Sequence, residues 1–415
     1  MVQYRNLSAT AVSTNSNQLC AARFRASSVK RSVVTLLGFV VLWFSGHAQD
    51  FDDPVATTAG NPATIQSIPF AHSTAIPYAR SFQDDEGGIH LQGGFKVVVH
   101  RDEIVVQNEP ILSLASIAPN DGGLNVFFSR KGLFLGLAVK VSPTADGIYA
   151  VPMMRSFDSL RTSREEQAIV DIPEAGKVDF GDADHWSGLF FHRSIVELLD
   201  GSLLATMNGN FESDKVVPTN SQSQLEEKYK ARAFAVRSVD GGKTWRYLSS
   251  LAVPEPGRID DGEGFNEWTV LRLDDGRLLG IIRTGHFTPL VACWSADEGR
   301  TWTVPRSPHG LGPAGVDPCL LKLSDGRLAL AFGEMVQPKV HPERHWWSRF
   351  FPRQIDSRRR CRLAICTDRS GENWTTINVS DFGDRTAYST VFEIAPSTLL
   401  YQTDLELWKI HLSVP

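Results

Sequence analysis

One eight-residue motif occurs twice and constrains the fold of this chain more than any other feature. Residues Ser238–Trp245 and Ser295–Trp302 share the pattern Ser-x-Asp-x-Gly-x-Thr-Trp. In such a segment the Asp and the Ser or Thr close a tight turn through side-chain bonds to the backbone, and Gly takes the left-handed position. The Trp that follows is expected to pack into the core. A degenerate third copy is predicted at Thr367–Trp374, with Arg369 in place of the central Asp.

A second repeat consists of apolar runs on either side of an Asp-Gly pair. The pairs are Asp200-Gly201, Asp275-Gly276 and Asp325-Gly326, and the run Phe392–Leu400 is a copy that has lost its Asp-Gly. Asp-Gly between two apolar runs is typical of a hairpin, because Gly tolerates a positive φ. Hairpins that recur at intervals of tens of residues indicate propeller blades or a barrel, and blades fit this period better.

The N-terminal region predicts export. Lys30 and Arg31 precede the apolar run Val33–Phe44, and small residues follow as far as Ala48. This order is that of a secretory signal peptide cleaved after Ala48, and the run is shorter than the roughly 20 residues that span a bilayer. We therefore expect residues 1–48 to be a signal peptide with a long first segment. The mature chain is then secreted or periplasmic, with no membrane anchor after cleavage.

The rest of the chain is predicted to be an irregular lead-in, residues 49–85, followed by β-structure from residue 86 to residue 415. Short apolar runs alternate with turns there, and helical periodicity is scarce. The net charge of -5 and the lack of a dense basic segment argue against nucleic-acid binding. The four cysteines that remain after cleavage form no CxxC pair. They are read as buried thiols, with a Cys361–Cys366 disulfide as the alternative.

The repeated motif resembles the Asp box of the sialidase (neuraminidase) superfamily, and the resemblance is clear over residues 186–415. It implies an all-β, six-bladed β-propeller with four antiparallel strands in each blade. Residues 49–415 provide about sixty residues for each blade, which suits that architecture. The box is structural and also occurs in propellers that are not enzymes, so it indicates fold more than activity.

The family resemblance also implies a chemistry. Sialidases bind the substrate carboxylate with three Arg, attack with a Tyr that a Glu activates, and use an Asp as acid/base. A carboxylate on the anomeric carbon repels a carboxylate nucleophile, which favours a phenol. A phenol with a pKa of about 10 needs the Glu to accept its proton. The implied activity is that of a retaining exo-sialidase acting on terminal sialic acid of glycans, with no cofactor and no metal ion.

Two segments carry the strongest local matches to the family pattern. In Asn266–Arg283 a Glu, a strand, an Asp-Gly turn and a returning strand that ends in Arg follow one another. The resemblance makes Glu267 the partner of the nucleophile and Arg283 the second clamp Arg. Tyr388, in a Tyr-Ser pair before an apolar strand, is the implied nucleophile. Glu263 competes with Glu267 for its role, because the loop before Glu267 is acidic.

The first half of the pattern departs from the family. Arg193 stands where the first clamp Arg is expected, but the family's Arg-Ile-Pro is Arg-Ser-Ile here, and Arg193 precedes Glu267 by only 74 positions. Asp214 is near the place of the acid/base. Arg80 and Arg101 are the alternatives for the first Arg.

The third clamp Arg is expected within the basic run Arg358–Arg362. We assign Arg360 from its sequence distance to Trp374 and Tyr388. The other choices are Arg358, Arg359 and Arg362. If the clamp is incomplete, two alternatives are open. One is a hydrolase of the same fold that acts on a different sugar. The other is a propeller that binds glycan or protein without catalysis.

Overall fold

A computed structural model describes most of the chain beyond residue 62, within the compact unit Thr58–Pro415. The predicted signal peptide, residues 1–48, lies outside the described residues, as do the lead-in up to residue 62, Arg80 and Arg101. The described ranges are 63–68, 81–84, 86–91, 95–100, 103–108, 124–129, 132–175, 188–217, 229–256, 262–285, 288–336, 358–382, 388–403 and 406–413.

The described residues are all-β, as predicted. Their one helical element is a single 3-10 turn at Pro173–Ala175, and no helix among them is long and apolar enough to cross a membrane. The strands are β1 Ala63–Ile68, β2 Ser81–Gln83, β3 Ile89–Leu91, β4 Phe95–His100, β5 Glu103–Asn108, β6 Leu124–Phe128, β7 Phe134–Ala138, β8 Ser142–Ala145, β9 Ile148–Ser156, β10 Arg164–Asp171, β11 Leu189–Glu197, β12 Leu203–Gly209, β13 Arg232–Ser238, β14 Thr244–Ala252, β15 Trp268–Arg272, β16 Leu278–Ile282, β17 Val291–Ser295, β18 Val316–Lys322, β19 Leu328–Val336, β20 Arg358–Cys366, β21 Thr375–Phe382, β22 Ser389–Ala395, β23 Thr398–Thr403 and β24 Leu407–Leu412.

These strands form sheets that are antiparallel except for one pairing and that follow one another along the chain. β2–β5 and β18–β21 are four-stranded sheets, and β15–β17 form a three-stranded one. A nine-stranded sheet consists of β6-β7-β9-β10, with β8 beside β9, and of β11–β14, joined through a short parallel pairing of β10 with β14. One series of strands lies side by side in chain order, and each strand contacts the next. The series is β2, β6, β11, β15, β18 and β22.

The last sheet joins the two ends of the described chain. Its order is β1-β24-β23-β22, and β1 pairs antiparallel with β24 from Ala63 opposite Leu412 to Ile68 opposite Leu407. The strand nearest the N-terminus therefore covers the edge that β24 would otherwise expose. An uncovered edge is a site for aggregation, so this pairing protects the sheet that begins at β22.

The hydrophobic core lies between adjacent sheets, as β16 illustrates. All five of its residues are buried. Leu278 and Ile282 pack in the cluster that includes β12 and β13, whereas Leu279 and Ile281 pack in the cluster that includes β19 and β20. Successive strand residues point to opposite faces, so an unbroken apolar run means that both faces are covered.

The two complete motifs form the turns that the sequence predicts. In the first, the Gly242 N–H donates to Ser238 Oγ at 2.9 Å, and Ser238 Oγ donates to Asp240 at 2.8 Å. The Thr244 N–H donates to Asp240 at 2.9 Å, and Trp245 is fully buried. The second motif, Ser295–Trp302, repeats these hydrogen bonds.

The third copy differs from the prediction. Asp368, and not Arg369, takes the place of the central Asp. It accepts hydrogen bonds from Asn373 Nδ2 at 2.8 Å and from Cys366 Sγ at 2.8 Å. Cys366 replaces the Ser of the motif and accepts from the Gly371 N–H at 3.3 Å. One additional residue between Cys366 and Gly371 shifts the spacing, which is why the sequence pattern assigned Arg369 wrongly.

A fourth turn of this kind connects β9 and β10. The Leu160 N–H donates to Ser156 Oγ at 3.0 Å, and the Thr162 N–H donates to Asp158 at 2.9 Å. Ser159 and Leu160 have φ values of 57 and 65 degrees, so two residues other than glycine take the left-handed conformation there. The sequence pattern does not reveal this turn, because the segment has neither the Gly nor the Trp of the motif.

The cysteines are thiols, as the first of the two interpretations predicts. No disulfide joins Cys293, Cys319, Cys361 and Cys366. Cys293 is buried in an apolar cluster, and burial raises the pKa of its thiol. Cys366, in contrast, takes part in the hydrogen bonds of its turn.

Substitution of these cysteines by Ser separates a hydrogen-bonding thiol from an apolar one. We expect Cys366→Ser to keep the stability of the wild type within about 0.5 kcal/mol, because Ser is the usual residue of the motif. Cys366→Ala should cost about 1 kcal/mol or more by removing turn hydrogen bonds. Cys293→Ser should cost about 1–3 kcal/mol, because it buries a hydroxyl among apolar groups. Urea unfolding of the three variants measures these differences, and equal losses for both Ser variants would contradict the assignment.

Candidate active site

Four side chains of the candidate site occupy the same place in four hairpins. Each stands nine residues before the residue that takes the left-handed conformation at the hairpin turn. The pairs are His192 with Gly201, Glu267 with Gly276, Asp317 with Gly326, and Tyr388 with Ser397. The hairpins begin on or just before β11, β15, β18 and β22, which lie side by side. Equal spacing on adjacent strands therefore brings the four side chains together.

Tyr388 and Glu267 form a direct hydrogen bond, as the sequence comparison leads us to expect. The phenol Oη of Tyr388 donates to Glu267 Oε1 at 2.7 Å, across 121 positions of sequence. Each residue directly precedes the first strand of its sheet, β22 and β15 respectively. The pair thus has the geometry for proton transfer from the phenol to the carboxylate.

Arg283 holds two acidic side chains beside this pair. Its Nη1 lies 2.9 Å from Glu267 Oε2, and its Nη2 lies 3.0 Å from Glu263 Oε2. The Arg283 N–H also donates to the Glu267 carbonyl oxygen at 2.8 Å, so the β15–β16 hairpin aligns the two residues. Glu263 and Glu267 therefore both belong to the site, and Glu267 is the one that contacts Tyr388.

Arg193 joins the site through Asp317. Its Nε donates to Asp317 Oδ1 at 2.8 Å, its Nη2 contacts Asp317 Oδ2, and its Nη1 donates to Thr390 Oγ1 at 3.0 Å. Asp317 is fully buried at a β-bulge of β18 and has a φ of 49 degrees. Its own N–H donates to Glu267 Oε2 at 2.9 Å, which links the Arg193 pair to the Tyr388 pair.

Asp317 and His192 belong to the site although neither was assigned from the sequence. His192 Nδ1 lies 2.8 Å from the Trp268 carbonyl oxygen, and Nε2 lies 3.2 Å from Asp317 Oδ1. The signal that could have found them is the nine-residue spacing from Gly201 and Gly326.

Donor atoms of His192, Glu267 and Asp317 lie within 4.8 Å of one another, which is a spacing that can hold a metal ion. Both carboxylates, however, already bind a guanidinium, Asp317 that of Arg193 and Glu267 that of Arg283. A divalent cation would meet these two positive charges at close range. The contacts of the three residues are those of an ion-pair network.

The network shifts the protonation equilibria of two of its members. Burial raises the pKa of Tyr388 well above its ordinary value of 10.0, and the Glu267 carboxylate raises it further. Burial alone would raise the pKa of Asp317, but the charge of Arg193 and the hydrogen bond from His192 hold it below its ordinary value of 3.8. Tyr388 is therefore a neutral phenol at rest, and Asp317 is an anion.

Asp214 makes its described contacts away from this network. It lies in the loop after β12, and its two carboxylate oxygens accept from Arg232 Nε at 2.6 Å and Nη2 at 2.7 Å. The Arg232 guanidinium stacks over Phe211, 4.2 Å from the ring centre. The structure brings Arg193, Glu267, Arg283 and Tyr388 together, but it shows no contact of Asp214 with them, and the acid/base role of Asp214 stays a prediction.

Arg360 lies on β20, the third strand of its sheet, opposite Glu334 on β19. The neighbouring Arg362 is the one that binds this carboxylate, with its Nε 2.7 Å and its Nη2 2.5 Å from Glu334 Oε2. The side chains of Arg358 and Arg359 are outside the described part of the chain. The choice of Arg360 as a clamp residue stays a prediction, and Arg362 is the alternative with a described ion pair.

The chain matches the family model described as "BNR repeat-like domain" over residues 125–398, which is more than half of its length. The chain belongs to the BNR repeat-like family. The matched region includes the four motif turns and every residue of the network. No curated protein matches the chain in sequence.

One solved structure shares the fold of this BNR repeat-like chain, and two others are similar to it at lower TM-scores. A protein of unknown function from Dyadobacter fermentans DSM 18053 is 16% identical with a TM-score of 0.53, and the match covers 85% of this chain and 100% of that one. The Hadza microbial sialidase Hz136 is 15% identical with a TM-score of 0.46, and the match covers 84% of this chain and 63% of that one. The α-L-arabinofuranosidase Arb93A from Fusarium graminearum is 12% identical with a TM-score of 0.44, and the match covers 69% of this chain and 79% of that one.

The pH dependence of stability tests the environment of Tyr388. In the unfolded chain its phenol ionises near pH 10, whereas the folded site raises its pKa well above that value. This raised pKa stabilises the folded BNR repeat-like domain below pH 10, and the stabilisation is lost as the pH rises from about 10 toward the folded value. The difference in unfolding free energy between wild type and Tyr388→Phe should shrink by about 1.4 kcal/mol per pH unit above pH 10.

Denaturant unfolding of both proteins from about pH 8 to about pH 11.5, a range that includes the ordinary pKa of about 10, measures this difference. Other tyrosines, such as the buried Tyr401, are common to both proteins and cancel. A difference that stays constant over this range would show that the phenol of Tyr388 is not held neutral by the site.

Proposed function

We propose that the chain is a glycoside hydrolase that attacks its substrate with Tyr388. The observation that carries the proposal is the hydrogen bond from the Tyr388 phenol to Glu267, with Arg283 on the same carboxylate. A phenol and a carboxylate in direct contact form the nucleophile–base pair that nucleophilic catalysis requires. The resemblance to sialidases supports the same assignment, since a Tyr–Glu pair is the nucleophile there.

The proposed reaction has two displacement steps. In the first, the Tyr388 proton passes to Glu267, Oη bonds to the anomeric carbon, and the bond to the leaving-group oxygen breaks as an acid protonates that oxygen. In the second, the deprotonated acid takes a proton from the water that attacks the anomeric carbon, and the phenol leaves as Glu267 returns its proton. Two inversions retain the configuration at the anomeric carbon. Asp214 is proposed as the acid/base on the family pattern.

The same proposal includes the architecture. Six groups of strands succeed one another, namely β2–β5, β6-β7-β9-β10, β11–β14, β15–β17, β18–β21 and β22-β23-β24-β1. We propose that they are the blades of a six-bladed β-propeller, closed by the pairing of β1 with β24. In propellers the first strand of each blade lines the central channel, and that arrangement would give the network access to a substrate from one end.

We also propose that the protein is exported, on the basis of the apolar run before Ala48. Mass spectrometry of the N-terminal peptide of the mature protein tests this. A mature chain that begins at Gln49 is expected, and a mature chain that retains residues 1–48 would contradict export by this route.

Turnover of chromogenic glycosides, including a sialoside, tests the hydrolase proposal. We expect Tyr388→Phe to lower kcat/KM at least about 10³-fold and Glu267→Gln about 10²–10⁴-fold, because one lacks the nucleophile and the other its base. Glu298→Gln, which disrupts the ion pair with Arg272 at a motif turn, is the matched control and should keep wild-type activity.

Melting temperatures of all variants separate loss of chemistry from loss of fold. Near-wild-type turnover by a folded Tyr388→Phe protein would overturn Tyr388 as the nucleophile. Binding of glycans by the wild type without turnover of any glycoside would favour the non-catalytic alternative.

A further inference from the structure

The arginines of the site already form ion pairs with carboxylates of the protein itself. Arg193 directs Nε and Nη2 toward the two oxygens of Asp317, which is the bidentate arrangement that a guanidinium makes with a carboxylate. Its Nη1 contacts Thr390. One bidentate edge of Arg193 therefore already holds Asp317, and an incoming carboxylate would share the guanidinium with that anion.

Arg283 is engaged in the same way by two carboxylates. Nη1 contacts Glu267 and Nη2 contacts Glu263, which is almost fully buried. Arg362 and Arg232 are paired as well, with Glu334 and Asp214 respectively. Each of these four arginines thus has a carboxylate partner within the described part of the chain.

The positive charges of the network are already matched by carboxylates of the protein. Three carboxylates, those of Glu263, Glu267 and Asp317, face the guanidiniums of Arg193 and Arg283. The pKa of Asp317 is held low, so that this carboxylate stays ionised at neutral pH. His192 directs both ring nitrogens at oxygen acceptors, the Trp268 carbonyl and Asp317, as an imidazolium does. The three cations of the centre are then matched by its three carboxylates, so an incoming anion would meet no uncompensated positive charge.

We propose that the substrate is a glycoside whose sugar has no carboxylate at the anomeric carbon, so that this site selects neutral sugars over sialic acid. This inference rests on the proposed function, and it names the substrate class of the same site. On Arg193 a sialic acid carboxylate would have to share the guanidinium with Asp317, which places two negative charges side by side. The hydroxyl groups of a neutral sugar can share the remaining N–H donors without displacing that internal anion.

A matched pair of ligands tests the charge selectivity in the wild-type protein. N-acetylneuraminic acid and its methyl ester differ at the carboxylate, which is charged in one and neutral in the other. We expect the ester to bind at least tenfold more tightly than the acid by calorimetry, at low ionic strength. Equal or tighter binding of the acid overturns the inference.

Turnover separates this inference from the proposed function. We expect hydrolysis of at least one neutral 4-nitrophenyl pentoside or hexoside and at least 100-fold lower kcat/KM for the corresponding sialoside. A sialoside as the best substrate would overturn the inference while supporting the hydrolase. No turnover of any glycoside would contradict the hydrolase, and the acid and ester would then decide the charge selectivity alone.

The variant Asp317→Asn tests the internal carboxylate directly. It removes one negative charge and weakens the hold on Arg193, so binding of N-acetylneuraminic acid should improve at least tenfold relative to wild type. Glu298→Gln removes a negative charge from a distant ion pair and should leave that binding unchanged. Unchanged affinity in a folded Asp317→Asn protein overturns the role of Asp317, and the ligand pair remains decisive if this variant does not fold.

Discussion

The left-handed residue at the tip of each hairpin is the constraint on which the site depends. Gly201, Gly276 and Gly326 have φ values of 81, 89 and 87 degrees, and Ser397 has a φ of 58 degrees. A turn of this kind sets the register of the two strands that it joins. The tip, together with the register shifts within β11, β18 and β22, gives the residue nine positions before it a defined place. Four such hairpins on adjacent strands therefore define one group of side chains.

The ion pairs then lock that group into a single arrangement. The contacts run from His192 through Asp317 to Glu267, with Arg193 and Arg283 on the carboxylates. Removal of one partner from a buried pair costs about 3–5 kcal/mol, because the remaining charge is left uncompensated. The network thus connects β11, β15, β18 and the start of β22, and it holds Glu267 in position to accept the proton of Tyr388. In the proposed hydrolase, this prior orientation would be a main contribution of the protein to catalysis.

Much of the fold follows from local sequence, whereas the site depends on contacts that are distant in sequence. The Asp-Gly hairpins and the two complete motifs could be read directly, because Gly and Asp at fixed offsets define a turn. The degenerate turns could not, since Cys366 replaces Ser with one residue added and Leu160 replaces Gly. Glu267, Arg283, Tyr388 and Arg193 came from the family resemblance, and the structure brings them together. Asp317 was missed because its partner Arg193 is 124 positions away.

Covalent trapping of the nucleophile tests the central claim most directly. A 2-deoxy-2-fluoro glycosyl fluoride of a sugar that the wild type hydrolyses should react with loss of fluoride and leave one sugar on the protein. Peptide mass spectrometry is predicted to find that sugar on Tyr388 in the wild type and to find no adduct in Tyr388→Phe. An adduct on Glu263, Glu267 or Asp317 would contradict the account, because a carboxylate and not the phenol would then be the nucleophile.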